Sequence, residues 1–386
     1  MIAYNPLWLS NLFMREQADK ALQENCLDKD EWDRINNKYP VHFYSPNVFI
    51  RIGLFMLTTV ILLFSFGLFA LLFLDSIDHV IGGLAIFFGL LSYAALEYMV
   101  QIKKHFQSGV DDALLWIAAC SVFGGISYLI DAGDLANCMI VFCISIFCSL
   151  RFADRLMSAV LYVSLLGVFF FMGINLGNVF KAFIPFVIMA ISITIYWLIK
   201  RTKGFEIYQP YSNCLQVISI SALLSLYVAG NYYVVRELSN TMFNLNLAQN
   251  EPIPMGWLFW CFTLAIPCFY IFSGIQKKDI VLIRIGLLLV AAIIFTVRYY
   301  YSVASVEVIM TVGGILLVAV SYGLTRYLKS PKFGFTNIET DSADVNKKLQ
   351  IESILLAQTF TSQVSSPDTT NLGGGNFGGG GASGEF

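Results

Sequence analysis

The sequence has few charged residues: they make up 13% of its 386 positions. Soluble globular domains average about 25%. Hydrophobic residues make up 57% of the chain, which is more apolar surface than a soluble protein of this length can bury. Its 24 basic and 26 acidic residues nearly balance, so there is no basic excess that would attract nucleic acid. We therefore predict an integral membrane protein that lies in a lipid bilayer and binds no nucleic acid.

The sequence also lacks the common catalytic motifs. It contains no His-Glu-x-x-His zinc site, no Gly-x-Ser-x-Gly nucleophile elbow and no P-loop. There are only three histidines, and the eight cysteines form no Cys-x-x-Cys pair. The sequence therefore predicts a protein that is not an enzyme, with no catalytic residues, no cofactor and no metal. A membrane enzyme is the least favoured of the functions considered.

Long apolar runs dominate the rest of the sequence, and a helix needs about 20 such residues to cross a bilayer. Ten runs qualify, at 49–74, 79–100, 113–130, 135–150, 156–174, 180–199, 213–234, 255–274, 280–298 and 305–327. Pro185 and Pro267 lie inside the sixth and eighth runs, where each removes a backbone hydrogen bond and predicts a kink. The predicted fold is an all-α polytopic membrane bundle of about ten helices.

The distribution of basic residues predicts how the chain is threaded. With ten spans, all but Lys181, Arg236 and Arg298 of the 24 lysines and arginines lie on one side of the membrane. Cytoplasmic loops collect lysine and arginine, so this side is predicted to be the cytoplasm. An even number of spans then places both termini there.

Polar segments flank the spans and divide the chain into four predicted regions. They are a helical hairpin at 1–48, the bundle at 49–327, a segment with one amphipathic helix and a linker at 328–370, and a glycine-rich tail at 371–386. In the hairpin we predict helices at 14–25 and 28–39, with Asp28 as the cap of the second and Pro40 as its stop. The hairpin is interpreted either as an amphipathic unit on the membrane surface or as a docking module for a partner.

The tail at 371–386 contains eight of the 29 glycines and cannot bury enough apolar surface to fold alone. Phe377 and Phe386 interrupt the glycines. We predict that this segment adds to a groove or sheet edge of a protein partner, with the two phenylalanines as anchors. A disordered tail with no partner is the alternative.

Two parts of the chain resemble known bacterial proteins. Arg15-Glu-Gln-Ala-Asp-Lys-Ala-Leu, Leu27-Asp-Lys-Asp-Glu-Trp-Asp-Arg-Ile and Tyr39, followed by many spans, resemble an uncharacterised family of predicted polytopic membrane proteins. The ending Phe377-Gly-Gly-Gly-Gly-Ala-Ser-Gly-Glu-Phe is similar to the endings of TPM-domain membrane proteins, although the TPM domain itself is absent. These resemblances imply a bacterial inner membrane protein and a recognised tail, but no activity.

Charged residues inside the apolar runs are the candidates for a binding site, because each is costly in a bilayer. Glu97 and Arg284 both lie near the predicted cytoplasmic end and are candidates to bind a solute or lipid headgroup. Arg298 and Glu307 flank an outer turn and are predicted to form an ion pair. Snorkelling to the membrane surface is the structural alternative.

Two functions follow from these observations. The first is a non-enzymatic subunit or regulator of a membrane complex, which engages its partner through the hairpin and the tail. The alternative is a transporter or lipid-handling protein with a cavity that faces the cytoplasm.

Overall fold

The computed structural model describes residues 2–23, 26–73, 77–202, 206–243, 253, 255–277 and 279–300, together with eight positions between 311 and 326. These residues form twelve helices. They are α1 (Pro6–Gln23), α2 (Lys29–Lys38), α3 (Val48–Leu71), α4 (Ile77–Gln101), α5 (Val110–Ile130), α6 (Asp134–Phe152), α7 (Arg155–Asn175), α8 (Asn178–Thr202), α9 (Ser212–Gly230), α10 (Tyr232–Phe243), α11 (Gly256–Lys277) and α12 (Ile280–Tyr300). A 3₁₀ helix, Glu206–Tyr211, precedes α9.

Nine helices in the described part of the chain, α3 to α9 together with α11 and α12, are long and apolar enough to cross a membrane. The prediction of an all-α polytopic bundle is confirmed. The predicted tenth span at 305–327 lies largely outside the described residues, and its described positions are helical. The predicted segments 328–370 and 371–386 lie outside them entirely.

The spans pack mainly as sequential pairs, α4 with α5, α6 with α7, α8 with α9 and α11 with α12, while α9 also contacts α7, α10, α11 and α12. Small residues allow close packing where lipid provides no hydrophobic driving force between helices. A Cβ atom on Gly125 of α5 would lie 2.6 Å from the carbonyl oxygen of Gly82 on α4. The backbones of these two helices are therefore nearly in contact.

The predicted span at 213–234 ends earlier than expected, and the short helix α10 follows it. Asn231 separates α9 from α10 with an extended backbone. Its side chain is buried and donates hydrogen bonds to the Tyr227 hydroxyl (2.9 Å) and to Thr296 Oγ1 (3.1 Å). The side-chain oxygen of Asn231 accepts a hydrogen bond from the backbone N–H of Val234 (3.3 Å), so the same residue that ends α9 caps the start of α10.

The predicted N-terminal hairpin is present, with different bounds. Helix α1 begins at Pro6 rather than at residue 14, whereas α2 has Asp28 as its cap as predicted. Glu31 closes a capping box by accepting a hydrogen bond from the Asp28 backbone N–H (3.2 Å). The two helices are joined by the Trp32 indole N–H, which donates to the Asp19 carboxylate (2.7 Å).

The residues before α1 enter the end of the bundle and tether the hairpin there. The backbone N–H of Ala3 donates to the carbonyl of Arg151 at the end of α6 (2.7 Å). Tyr4 is buried in a cluster with residues of α4, α5, α6 and α7, among them Leu96, Leu115 and Met157. The hairpin is therefore fixed to the helices by this short segment.

Candidate functional site

A cavity of about 700 Å³ lies where the first turns of α3, α5 and α7 meet the end of α6. Ligand sites in proteins commonly enclose about 300 to 1,000 Å³. Its wall is largely apolar, and Phe55, Leu115 and Trp116 contribute to it. Five charged residues form its polar end: Arg51, Asp111, Asp112, Asp154 and Arg155. The bundle end that contains this cavity is the one predicted to be cytoplasmic.

The loop between α4 and α5 positions two of the carboxylates. Its backbone takes left-handed conformations at Lys104, Gln107 and Gly109, and Gly109 has a φ of 92°. A Cβ atom on Gly109 would lie 2.1 Å from the carbonyl oxygen of Arg51, so only glycine lets the loop lie against α3. The close contact places the start of α5 beside the first turn of α3.

Arg51 and Asp112 form the main ion pair of the cavity. Arg51 donates to the same oxygen, Asp112 Oδ2, through Nη2 (2.7 Å) and Nε (3.0 Å). The other carboxylate oxygen of Asp112 makes no hydrogen bond with a described residue. The pair therefore retains one oxygen that can accept a hydrogen bond from a ligand.

Asp111 is the most deeply buried carboxylate of the cavity, with 3% of its surface exposed. One of its oxygens accepts hydrogen bonds from the Ser108 backbone N–H (2.8 Å) and the Ser108 hydroxyl (2.9 Å). The Ser108 hydroxyl also lies 2.7 Å from Nδ1 of His105. Asp111 therefore serves mainly to hold the loop in place.

Asp154 and Arg155 form the turn into α7. Asp154 caps this helix, since its carboxylate accepts a hydrogen bond from the backbone N–H of Met157 (2.7 Å). Burial raises the pKa of Asp154, against the opposing effects of backbone N–H bonds from Met157 and Leu156 and of the Arg51 charge. Arg155 is exposed and makes no ion pair or hydrogen bond with any residue that the structure describes.

The structure places Glu97 and Arg284 apart from this cavity, and neither lines it. Glu97 forms an ion pair with Arg151, whose Nε lies 2.9 Å from Glu97 Oε1. Glu97 also accepts a hydrogen bond from the Tyr93 hydroxyl (2.6 Å). Arg284 lies on the exposed face of α12. The pairing with Arg151 explains how Glu97 is accommodated near a membrane. The role of both residues in binding a ligand stays a prediction.

The two prolines lie inside helices, Pro185 in α8 and Pro267 in α11. Pro185 lines a smaller cavity of about 150 Å³, whereas Pro267 is buried.

Arg298 is partly buried, and its Nη1 atom has no hydrogen-bond partner among the described residues. Its predicted partner Glu307 lies outside those residues, as do Phe377 and Phe386.

Sequence reasoning missed the charged end of the cavity. In the sequence, Arg51 and Arg155 indicate only which side of the membrane is cytoplasmic. The pair Asp111-Asp112 follows Ser108-Gly109-Val110 at the start of a span, a pattern that suggests a constrained turn. No sequence feature indicates that this turn meets Arg51 and Asp154, because the three segments are far apart along the chain.

The fold and the cavity define a multi-pass helical membrane protein with a charged, partly enclosed site at one end. Comparison of the chain with protein-family models, curated proteins and solved structures finds no match. The part of the chain that the structure describes contains no group of three His, Cys, Asp or Glu side chains placed to hold a metal ion.

Proposed function

We propose that this chain is a lipid-handling membrane protein that binds an amphiphile in the cavity between α3, α5 and α7. The observation that supports this most is the division of the cavity into an apolar wall and a charged end. An amphiphile has the same division, with acyl chains at one end and a headgroup at the other. The charged end lies on the predicted cytoplasmic side, which would place the ligand in the inner leaflet of a bacterial inner membrane.

The exposed rim of the cavity supports entry from the lipid. Val48, Ile52 and Met56 all line the cavity and have 68%, 54% and 61% of their surfaces exposed. None of the residues of α3 is buried. In a bilayer this helix would contact acyl chains along its length, so a lipid could enter the cavity while its chains stay on α3.

Blocking the rim should release the lipid. Ile52→Trp adds an indole at the rim, and we expect the amount of phospholipid retained per protein after detergent washing to fall several-fold. The measurement is lipid quantification by mass spectrometry on the purified chain. Leu57→Trp is the matched control, because Leu57 lies on the same helix, is exposed to a similar degree (56%) and does not line the cavity.

The control variant should retain as much lipid as the unmodified chain. Equal retention by Ile52→Trp, Leu57→Trp and the unmodified chain would mean that the lipid is not held in this cavity, and the proposed function would be wrong.

The second candidate is a non-enzymatic subunit or regulator of a membrane complex. Its support is the glycine-rich tail with Phe377 and Phe386, together with its similarity to the endings of TPM-domain proteins. The exposed surface of α2, which has no buried residue, offers a further place for a partner to dock. The same chain could hold a lipid and engage a partner.

Removing the tail should abolish partner binding and leave lipid binding in the cavity unchanged. A chain that ends at Thr370 is expected to lose a defined partner in affinity purification with mild detergent while inserting normally. The matched full-length variant carries Phe377→Ser and Phe386→Ser. It keeps every glycine, so it tests whether the two phenylalanines anchor the tail to the partner. A partner that remains bound to the chain ending at Thr370 would rule out recognition of the tail.

A further inference from the structure

The hydrogen bonds at the polar end of the cavity leave a specific set of groups available to a ligand. Arg51 is engaged by Asp112, and Asp111 accepts two hydrogen bonds from Ser108. Arg155 has no hydrogen bond or ion pair with a described residue. Asp111 is also only 3% exposed, so a ligand has little access to its other oxygen. The groups that a ligand can reach are therefore the Arg155 guanidinium, the second oxygen of Asp112 and the remaining accepting capacity of the Asp154 carboxylate.

These groups carry charges of both signs. Arg155 is a cation without an ion-pair partner among the described residues. It lies at the N-terminus of α7, where the helix dipole also favours an anion. Asp112 and Asp154 are carboxylates that can accept hydrogen bonds from a cation. The whole lining contains two arginines and three aspartates, so an excess of negative charge remains once the cations are matched.

We infer that the ligand is a zwitterionic phospholipid with a primary ammonium group, a chemistry that deepens the proposed function and rests on it. Its phosphate lies against Arg155, and its ammonium donates hydrogen bonds to the carboxylates of Asp154 and Asp112. Phosphatidylethanolamine has this combination of groups. The apolar wall formed by Ile52, Phe55 and Met56 then holds the upper part of the acyl chains.

The charges disfavour the other common headgroups. A lipid with only negative charge, such as phosphatidylglycerol, can pair with Arg155, but it offers no ammonium to Asp154 or to the second oxygen of Asp112, and its anion meets the excess negative charge of the lining. Phosphatidylcholine has the same net charge as phosphatidylethanolamine, but its quaternary ammonium has no N–H to donate. Hydrogen bonds between charged groups are stronger than those between neutral groups, so we expect the primary ammonium to be preferred by roughly tenfold or more.

The test is a competition among headgroups in mixed micelles. The purified full chain is equilibrated with equal amounts of phosphatidylethanolamine, phosphatidylcholine and phosphatidylglycerol of identical acyl chains and washed, and the retained lipids are then quantified. We expect phosphatidylethanolamine to exceed each of the others by roughly tenfold. Equal retention of the three lipids, or a preference for either of the other two, would overturn the inferred chemistry.

Two charge variants assign the groups. Asp154→Asn keeps a side chain that can cap α7, and it should reduce the preference for phosphatidylethanolamine over phosphatidylcholine. Arg155→Gln should reduce retention of all three phospholipids, because they share the phosphate. The matched controls are Asp279→Asn, at the cap of α12, and Arg201→Gln, at the end of α8; both lie outside the cavity and should change neither quantity.

The competition also distinguishes this inference from the proposed function. If lipid is retained in the cavity, as judged by its loss in Ile52→Trp, but no headgroup is preferred, the proposed function stands and the inferred ligand is wrong. If Ile52→Trp changes nothing, both fail. A preference that survives unchanged in Asp154→Asn would also overturn the assignment of the ammonium to that carboxylate.

Discussion

Replacing Gly109 with alanine is expected to lower the free energy of unfolding by about 3 kcal/mol, combining the cost of a left-handed side chain with that of a clash. The new Cβ would lie 2.1 Å from the Arg51 carbonyl and 3.0 Å from the Phe55 backbone nitrogen. Both atoms belong to the backbone of α3, so no side-chain rotation can relieve the contact. The loop must move away from α3, and the Arg51–Asp112 pair must separate or distort.

Thermal unfolding of the detergent-solubilised chain measures this effect, and retained phospholipid should fall together with the unfolding midpoint. Gly53→Ala is the matched control, because Gly53 lies on α3 and a Cβ there would meet nothing within 4 Å. Alanine is the better helix former by about 1 kcal/mol, so this control should be neutral or slightly stabilising. Equal midpoints for Gly109→Ala and the unmodified chain would contradict the contact between loop and helix.

Replacing Tyr4 with alanine is expected to cost about 3–5 kcal/mol, as for other large aromatic residues removed from a core. The ring packs edge-on against Phe106, with centroids 5.0 Å apart, and it is buried among residues of four spans. The same cluster contains the buried thiol of Cys148. Loss of the ring should therefore make Cys148 react faster with a maleimide, as followed by mass spectrometry of the labelled peptide.

Tyr4→Phe provides the control, because it keeps the ring and removes only the hydroxyl. Burial and the nearby carboxylates of Asp111 and Asp112 raise the pKa of Tyr4 well above its usual value, so the phenol is neutral in the folded chain. No charge is lost in this variant, and its stability should stay within about 1 kcal/mol of the unmodified chain. Slow labelling of Cys148 in Tyr4→Ala would mean that the segment before α1 does not seal the bundle.

The spans could be predicted from sequence because bilayer thickness fixes the length of an apolar helix. The first turn of α1 could not be predicted from sequence, because Leu7, Trp8 and Leu9 are consecutive apolar residues without helical spacing. The cavity could not be predicted either. The cavity depends on Arg51, Gly109 and Asp154, which are far apart in the sequence and meet only in the folded chain. It also depends on the close approach of the Gly109 loop to the backbone of α3, which only the three-dimensional structure shows. Glu97 stands out in the sequence as a charge in an apolar run, whereas its partner Arg151 falls between the predicted spans 135–150 and 156–174.

The attachment of Ala3 to Arg151 also bears on the order in which the protein is built. Residues 2–4 are synthesised before every span, but their binding surface includes Arg151, Phe152 and Met157, which are synthesised much later. Until α6 and the start of α7 have been inserted, Tyr4 has only part of its surroundings. The segment before α1 can therefore complete its docking only after the start of α7 has been synthesised, so this contact links the N-terminal hairpin to the assembly of α4 to α7.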